Sequence, residues 1–315
     1  MKFLLCFAIF SAHGAAVWID TDPSVQRWGH EVDDGFALVQ AFHSPELQIR
    51  GISVVFGNAP LATAFPIGKE IVRRFGPEGM PVYSGSACAQ DLGQETDASR
   101  ALATALKAER LTILLLGPAT NIATVLRNHP ELARSIDRII AVAGRRPGQR
   151  FRTGRSPQPF RDLNFELDPQ AFQVILDSGV PLVLVPWEVS SKVWLTKADL
   201  NGLVASSPAL SWLVEPASDW LIFWKLAFGV DGFNPFDTLA VGYALAPNLL
   251  SCESLPAKIE TLPNDITTAD GPAQKAFLLA AKEIKGGRVV QYCGSVQPKF
   301  KMDLLARLAS APARK

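Results

Sequence analysis

The sequence predicts an α/β fold, an open and mostly parallel sheet with helices on both faces and a Rossmann-like core. Two observations carry this. Apolar-rich runs recur at residues 17–19, 47–56, 111–116, 136–143 and 180–186, the pattern of strands buried on both faces. Segments of helical length separate these runs, so successive strands are joined by crossovers and lie parallel. A third observation places the function. Four acids, Asp20, Asp22, Asp33 and Asp34, fall between the first strand and the first helix, and open α/β sheets bind ligands outside the carboxyl ends of their strands.

The first strand, Val17-Trp18-Ile19, runs into Asp20-Thr21-Asp22-Pro23, and Asp33-Asp34 precede a helix beginning at Gly35. Four like charges this close raise one another's pKa unless a cation joins them. Hard oxygen ligands suit calcium or magnesium better than zinc. Complementing a helix N-terminus explains one or two such acids, not four. The second strand, residues 47–56, closes in Gly57-Asn58-Ala59-Pro60 and leads to a helix over residues 62–75. A short strand near Tyr83 follows, and Thr96-Asp97 caps a helix over residues 98–108. The strand 111–116 ends in Gly117-Pro118-Ala119-Thr120-Asn121, which opens the next helix. Pro169 starts a helix running to Ser178.

Residues 144–161 break this rhythm with six arginines among Gly, Pro and Ser. The segment reads as a long loop, either a solvated surface or, from its place after a strand, a cover for a substrate. Residues 211–228 form a helix on which Trp220, Trp224 and Phe228 repeat every four residues and share one face. Core packing explains such a stripe; a wall on which a base stacks is the sharper reading. Asn234-Pro235-Phe236-Asp237 opens another helix. From Cys252 onward the pattern suggests short strands and a final helix, with little chemistry.

Length and composition narrow the function. The 315 residues are 48% hydrophobic, enough for a sizeable core, and no repeat or composition break divides them. Residues 1–14 have the Lys, apolar run and small residues of a secretory signal peptide, leaving residues 15–315 as one domain, secreted or periplasmic, with no membrane anchor after signal removal. A net charge of +1 argues against nucleic acid as a partner. Cys88, Cys252 and Cys293 then remain, which allows at most one disulfide of open pairing.

With these motifs placed, the chain resembles the inosine–uridine preferring nucleoside hydrolase family. The resemblance rests on DTDP followed by DDGFAL, on GNAP at Gly57, GPATNIA at Gly117, RDLNFELDP, WEVSSKVWLT and PFDTLAV at Pro235. It implies calcium-dependent hydrolysis of the N-glycosidic bond of ribonucleosides, in a homodimer or homotetramer. Carried over by position, Asp22 is both calcium ligand and the base that activates water. Asp34, Asp237 and the Leu116 carbonyl complete the metal site, and Asp20 supports Asp22. Asp33, Asn58, Asp162 and Asn164 hold the ribose. Trp220 and Trp224 are not among the positions carried over; their part in binding rests on the base-stacking reading of the aromatic stripe. Acids suit this chemistry, because nearby carboxylates stabilise an oxocarbenium-like sugar and one can take a proton from water.

The chain departs from the family pattern in three places. The short link between the aspartate pairs is expanded to residues 24–32, Asp162 stands where many relatives have Glu, and Phe236 replaces a His that helps the base leave in some members. His30 is the histidine near the motif, and a solvated loop explains it. Two other classes fit part of the sequence. A strand followed by DxDxS also opens haloacid-dehalogenase phosphatases, but that leaves Asp33-Asp34, GPATN and PFDTLAV unexplained. A secreted nucleoside- or sugar-binding protein of the same fold would keep the cation site without turnover.

Overall fold

The computed structural model describes residues 14–25, 28–266 and 271–310. The expected signal segment, apart from Gly14, lies outside these residues. In chain order the elements are β1 (Ala15–Thr21), α1 (Asp33–Phe42), β2 (Leu47–Val54), α2 (Leu61–Phe75), β3 (Val82–Ser84), α3 (Asp97–Ala108), β4 (Leu111–Leu115), α4 (Thr120–Asn128), β5 (Ile136–Ala141), α5 (Leu163–Leu167) and α6 (Pro169–Ser178). There follow β6 (Leu182–Leu184), α7 (Trp187–Ser190), α8 (Lys197–Ser206), α9 (Ser211–Phe228), α10 (Thr238–Leu245), β7 (Leu250–Pro263), β8 (Gln274–Ala280), β9 (Arg288–Val296) and α11 (Lys299–Ala309).

The nine strands form one sheet in the order β3-β2-β1-β4-β5-β6-β9-β7-β8. Every pair is parallel except β9–β7 and β7–β8, so β7 alone runs against the rest. The predicted open, mostly parallel sheet is the one found.

Alternation along each strand decides which helices cover which face. Val17 and Ile19 of β1, Leu114 of β4 and Val183 of β6 pack into one core with Phe36 of α1, Leu213 of α9 and Leu239 of α10. Their neighbours Trp18, Ile113 and Leu182 enter a second core with Leu102 of α3, Ile122 of α4 and Phe172 of α6. Each such side chain contributes roughly 1.5–3 kcal/mol when fully buried, so both faces need their helices. Trp18 fixes the fit between β1 and β2. Its indole donates to Ser53 Oγ at 2.8 Å, and a Cβ on Gly51 would lie 2.4 Å from its ring.

The C-terminal part departs from the expectation of short strands. β7 spans 14 residues, and its outer end is largely exposed, so it lacks the apolar run that marks a buried strand. Cys252 and Cys293 pair across β7 and β9 as a disulfide, which settles the open pairing and leaves Cys88 free. Among the described residues, no helix is long and apolar enough to cross a membrane.

Candidate active site

The order β2-β1-β4 puts the sheet's switch point between β1 and β4, and the acids collect at its carboxyl end. Asp20, still within β1, is fully buried; its Oδ1 accepts from Ser53 Oγ and, at 2.8 Å, from Asn121 Nδ2. Asp22 follows the strand. Its Oδ2 accepts the Asn58 N–H at 2.7 Å. Gly57 and Gly117 pack so close that a Cβ on either would lie 1.8 or 3.0 Å from the Asp22 carboxylate oxygens. Asp34, in the first turn of α1, accepts from the Thr21 hydroxyl and from the Asp22 N–H, the latter at 3.2 Å. Asp237 arrives from the far end of the chain as the residue before α10.

Among the described residues, no cationic side chain pairs with these buried acids. Asp22 Oδ1 and Asp34 Oδ2 have no hydrogen-bond donor. Burial first, then mutual repulsion, pushes Asp22, Asp34 and Asp237 well above the usual carboxylate range. Burial raises Asp20 to about 7 and Asp33 to about 6. Glu31, Asp33 and Asp237 each place a carboxylate oxygen within 4.8 Å of the others. Calcium–oxygen distances of about 2.3–2.6 Å span that spacing. All-oxygen, anionic donors with unsatisfied lone pairs fit a hard divalent cation.

Over the cluster lies a cavity of about 240 Å³. Eight of the predicted site residues line it: Asp33, Asn58, Leu116, Asp162, Asn164, Trp220, Trp224 and Asp237. Asp20, Asp22 and Asp34 do not; each is wholly buried beside it. Polar groups and aromatic rings share its lining. Asn164 Nδ2 donates to the carbonyls of Leu116 and Val142 at 2.6 and 3.1 Å, tying together the ends of β4 and β5. Asp162 Oδ2 accepts the Gly144 N–H at 2.9 Å, and burial lifts its pKa to about 6 against the pull of Arg145. Trp220 stacks on Phe223, with centroids 5.0 Å apart and planes at 3°. Trp224 is 2% exposed and edge-on to Trp194 and Phe228, so it serves core and cavity wall at once. Phe236 lines the cavity, and His30 does not.

Residues 17–289 match the family described as inosine-uridine preferring nucleoside hydrolase. The chain belongs to this family. A pyrimidine-specific ribonucleoside hydrolase RihA of Klebsiella pneumoniae is 25% identical over 75% of this chain and 81% of its own length. Among solved structures, the plant nucleoside hydrolase PpNRh1 superposes with a TM-score of 0.79 at 22% identity, over 94% of this chain and 99% of its own. A purine-preferring ribonucleoside hydrolase from Gardnerella vaginalis gives 0.73 at 20%, over 93% and 98%. The protein is therefore a hydrolase acting on N-glycosyl bonds, with a nucleoside as substrate, and the phosphatase reading falls.

Two parts of this hydrolase's site escaped the sequence reading. Glu31, from the expanded link, lines the cavity beside Asp33; its position two residues before that acid was the available signal. The Arg-rich residues 144–161 are not simply a solvated loop. Arg145 is 1% exposed. It pairs with Glu166 at 3.3 Å and Asp265 at 2.8 Å, both shared with Lys275, and lies between the rings of Phe151 and Phe277. Arg146 pairs with Glu188 and Glu253 at 2.9 and 2.7 Å. Fastened in this way, the segment brings Phe151, Phe160 and Arg161 to the cavity. A run of arginines gives no hint of which acids will meet it in the fold.

Proposed function

We propose that this hydrolase cleaves purine ribonucleosides to free base and ribose, with calcium held by Asp22, Asp34, Asp237 and the Leu116 carbonyl. The observation that supports this most is one cavity whose lining combines Asp33, Asp162 and Asp237 with the rings of Trp220, Trp224 and Phe236. When bound, calcium would supply the positive charge that keeps the buried carboxylates ionised and would act as a Lewis acid toward the sugar's oxygens.

The protein's own groups do the rest. Asp22, oriented by the Asn58 N–H and hemmed in by Gly57 and Gly117, takes the proton from the attacking water. Asp20 lies behind it as support. Asp33, Asn58, Asp162 and Asn164 orient the ribose, and the carboxylates among them stabilise the cationic sugar as the bond to the base breaks. Phe236 has no proton to give, so the base leaves by another route. Stacking on Trp220 and Trp224 favours its protonated form by cation–π attraction, which supports a preference for purines. An apolar N-terminal run and the Cys252–Cys293 disulfide support a secreted or periplasmic location, since disulfides persist in oxidising compartments. A homodimer or homotetramer is the expected assembly.

Reducing-sugar release from inosine, guanosine, uridine and cytidine, with chelator and with calcium restored, tests this reading. Inosine should exceed uridine, and chelator should abolish release until calcium returns. Release insensitive to chelator removes calcium from the reading, and uridine exceeding inosine removes the purine preference. No release from any riboside leaves a binding protein of the same fold.

A further inference from the structure

We infer that Glu31, delivered by the expanded link between the two aspartate pairs, is a ligand of the cation site. The inference rests on the calcium reading above and adds a carboxylate that the motif positions do not include.

The link returns on itself so as to hold this side chain. Ser24 donates to Glu31 Oε1 through its backbone N–H at 3.2 Å and its hydroxyl at 2.9 Å. The Asp33 N–H donates to Oε2 at 2.9 Å. A carboxylate has about four acceptor sites, so three are filled and Oε2 retains one. The carboxylate is fixed in orientation before any ligand arrives, which lowers the entropic cost of coordination. One of its oxygens lies within 4.8 Å of oxygens from both Asp33 and Asp237, near enough for one calcium ion to touch all three.

An independent observation points to a cation there. Asp22 Oδ1 and Asp34 Oδ2 belong to wholly buried side chains and have no donor. The two lie side by side, the Asp22 N–H donating to Asp34 Oδ1 at 3.2 Å, and Asp34 stands next to Asp33 in the chain. Among the described residues lining the cavity the cationic side chain is Arg161, which is turned to Glu166 at 3.1 Å. A bound cation would supply this cluster's countercharge. Affinity for a hard cation rises with the number of charged oxygen ligands, so the expanded link tightens the site.

Calcium titration calorimetry on the full chain, freed of metal, tests this with Glu31→Gln and Glu31→Asp. Glu31→Gln should weaken calcium binding by about 10–100-fold, at least the loss seen when a metal ligand's own support is removed. Glu31→Asp, shorter but charged, should fall between. In chelator Glu31→Gln should melt no lower than wild type, because it removes one of several like charges, while calcium should raise its melting temperature less. Equal calcium affinity in Glu31→Gln and wild type overturns the inference. So does an equal fall in melting temperature with and without calcium, which marks Glu31 as a fastener of the link alone. Should Glu31→Gln fail to fold, Glu31→Asp decides: calcium affinity equal to wild type overturns the inference. A wild-type protein that binds no calcium defeats the calcium reading itself, a separate result visible before any variant is made.

Discussion

Replacing Gly57 by alanine tests how Asp22 is held. A Cβ at this position would lie 1.8 Å from Asp22 Oδ2 and 2.6 Å from its Cγ, where real contacts stay beyond 3.0 Å. Gly57 is not among the glycines with positive φ, so the added methyl acts by collision and not by backbone strain. The carboxylate must withdraw by at least about 1.2 Å, the difference between those two distances, and it loses the Asn58 N–H. A hydrogen bond to a charged group is worth about 1.5–3 kcal/mol, and overpacking costs about 1–3 kcal/mol. The expected loss of stability is therefore roughly 2.5–6 kcal/mol, or about 4–9 °C in Tm at roughly 2.1 cal/mol/K of unfolding entropy per residue. Displacing a catalytic group by about 1 Å costs on the order of 100-fold in rate. Inosine turnover per folded molecule should fall to that extent, with circular dichroism following the melt. Gly202→Ala provides the control: no atom lies within 4 Å of its Cβ, within α8, and alanine should raise stability by up to about 1 kcal/mol. Turnover of Gly57→Ala within threefold of wild type would refute the placement of Asp22 as base.

Three further outcomes follow from the same geometry. In chelator, stability should fall as pH rises from about 4 to about 7, because folded Asp20 keeps its proton up to about 7 while the unfolded group releases it near 3.8. Asp20→Asn should make that slope shallower and gain up to roughly 4 kcal/mol at pH 8; a slope unchanged in urea melts across this range would show that Asp20 is not the titrating group. Trp220→Ala, at the half-buried wall, should slow inosine far more than a riboside whose leaving group needs no proton, and His30→Ala should change both alike. The buried Trp224→Ala would instead cost about 3–5 kcal/mol of stability, which makes Trp220 the cleaner probe; a selective loss in His30→Ala would make His30 the acid. Arg145→Met leaves Asp265 with Lys275 alone and Glu166 with Lys275 and the half-exposed Arg161, and should cost about 3–5 kcal/mol. It should also raise KM for the riboside, because Glu166 Oε1 accepts the Asp162 N–H at 3.0 Å; an unchanged KM would separate the network from the site.

The sequence by itself determined the sheet, the position of the acids at its carboxyl edge and the family. These are local facts. Buried parallel strands need apolar runs, ligand-binding turns follow them, and DTDP, DDGFAL and PFDTLAV carry their chemistry in adjacent residues. Asp237 entered the site through the family resemblance; only the tertiary structure set its carboxylate within 4.8 Å of those of Glu31 and Asp33, joined Cys252 to Cys293, and turned Glu31 from a loop acid into a wall of the cavity. It also found partners for the arginines. Arg145 meets Asp265, an acid it shares with Lys275 of β8, because β8 lies alongside the backbone at residue 145, where Arg145 N–H donates to the Leu278 carbonyl at 3.0 Å. A charge in a sequence shows what it can pair with; which partner it meets depends on strands that come together only when the chain folds.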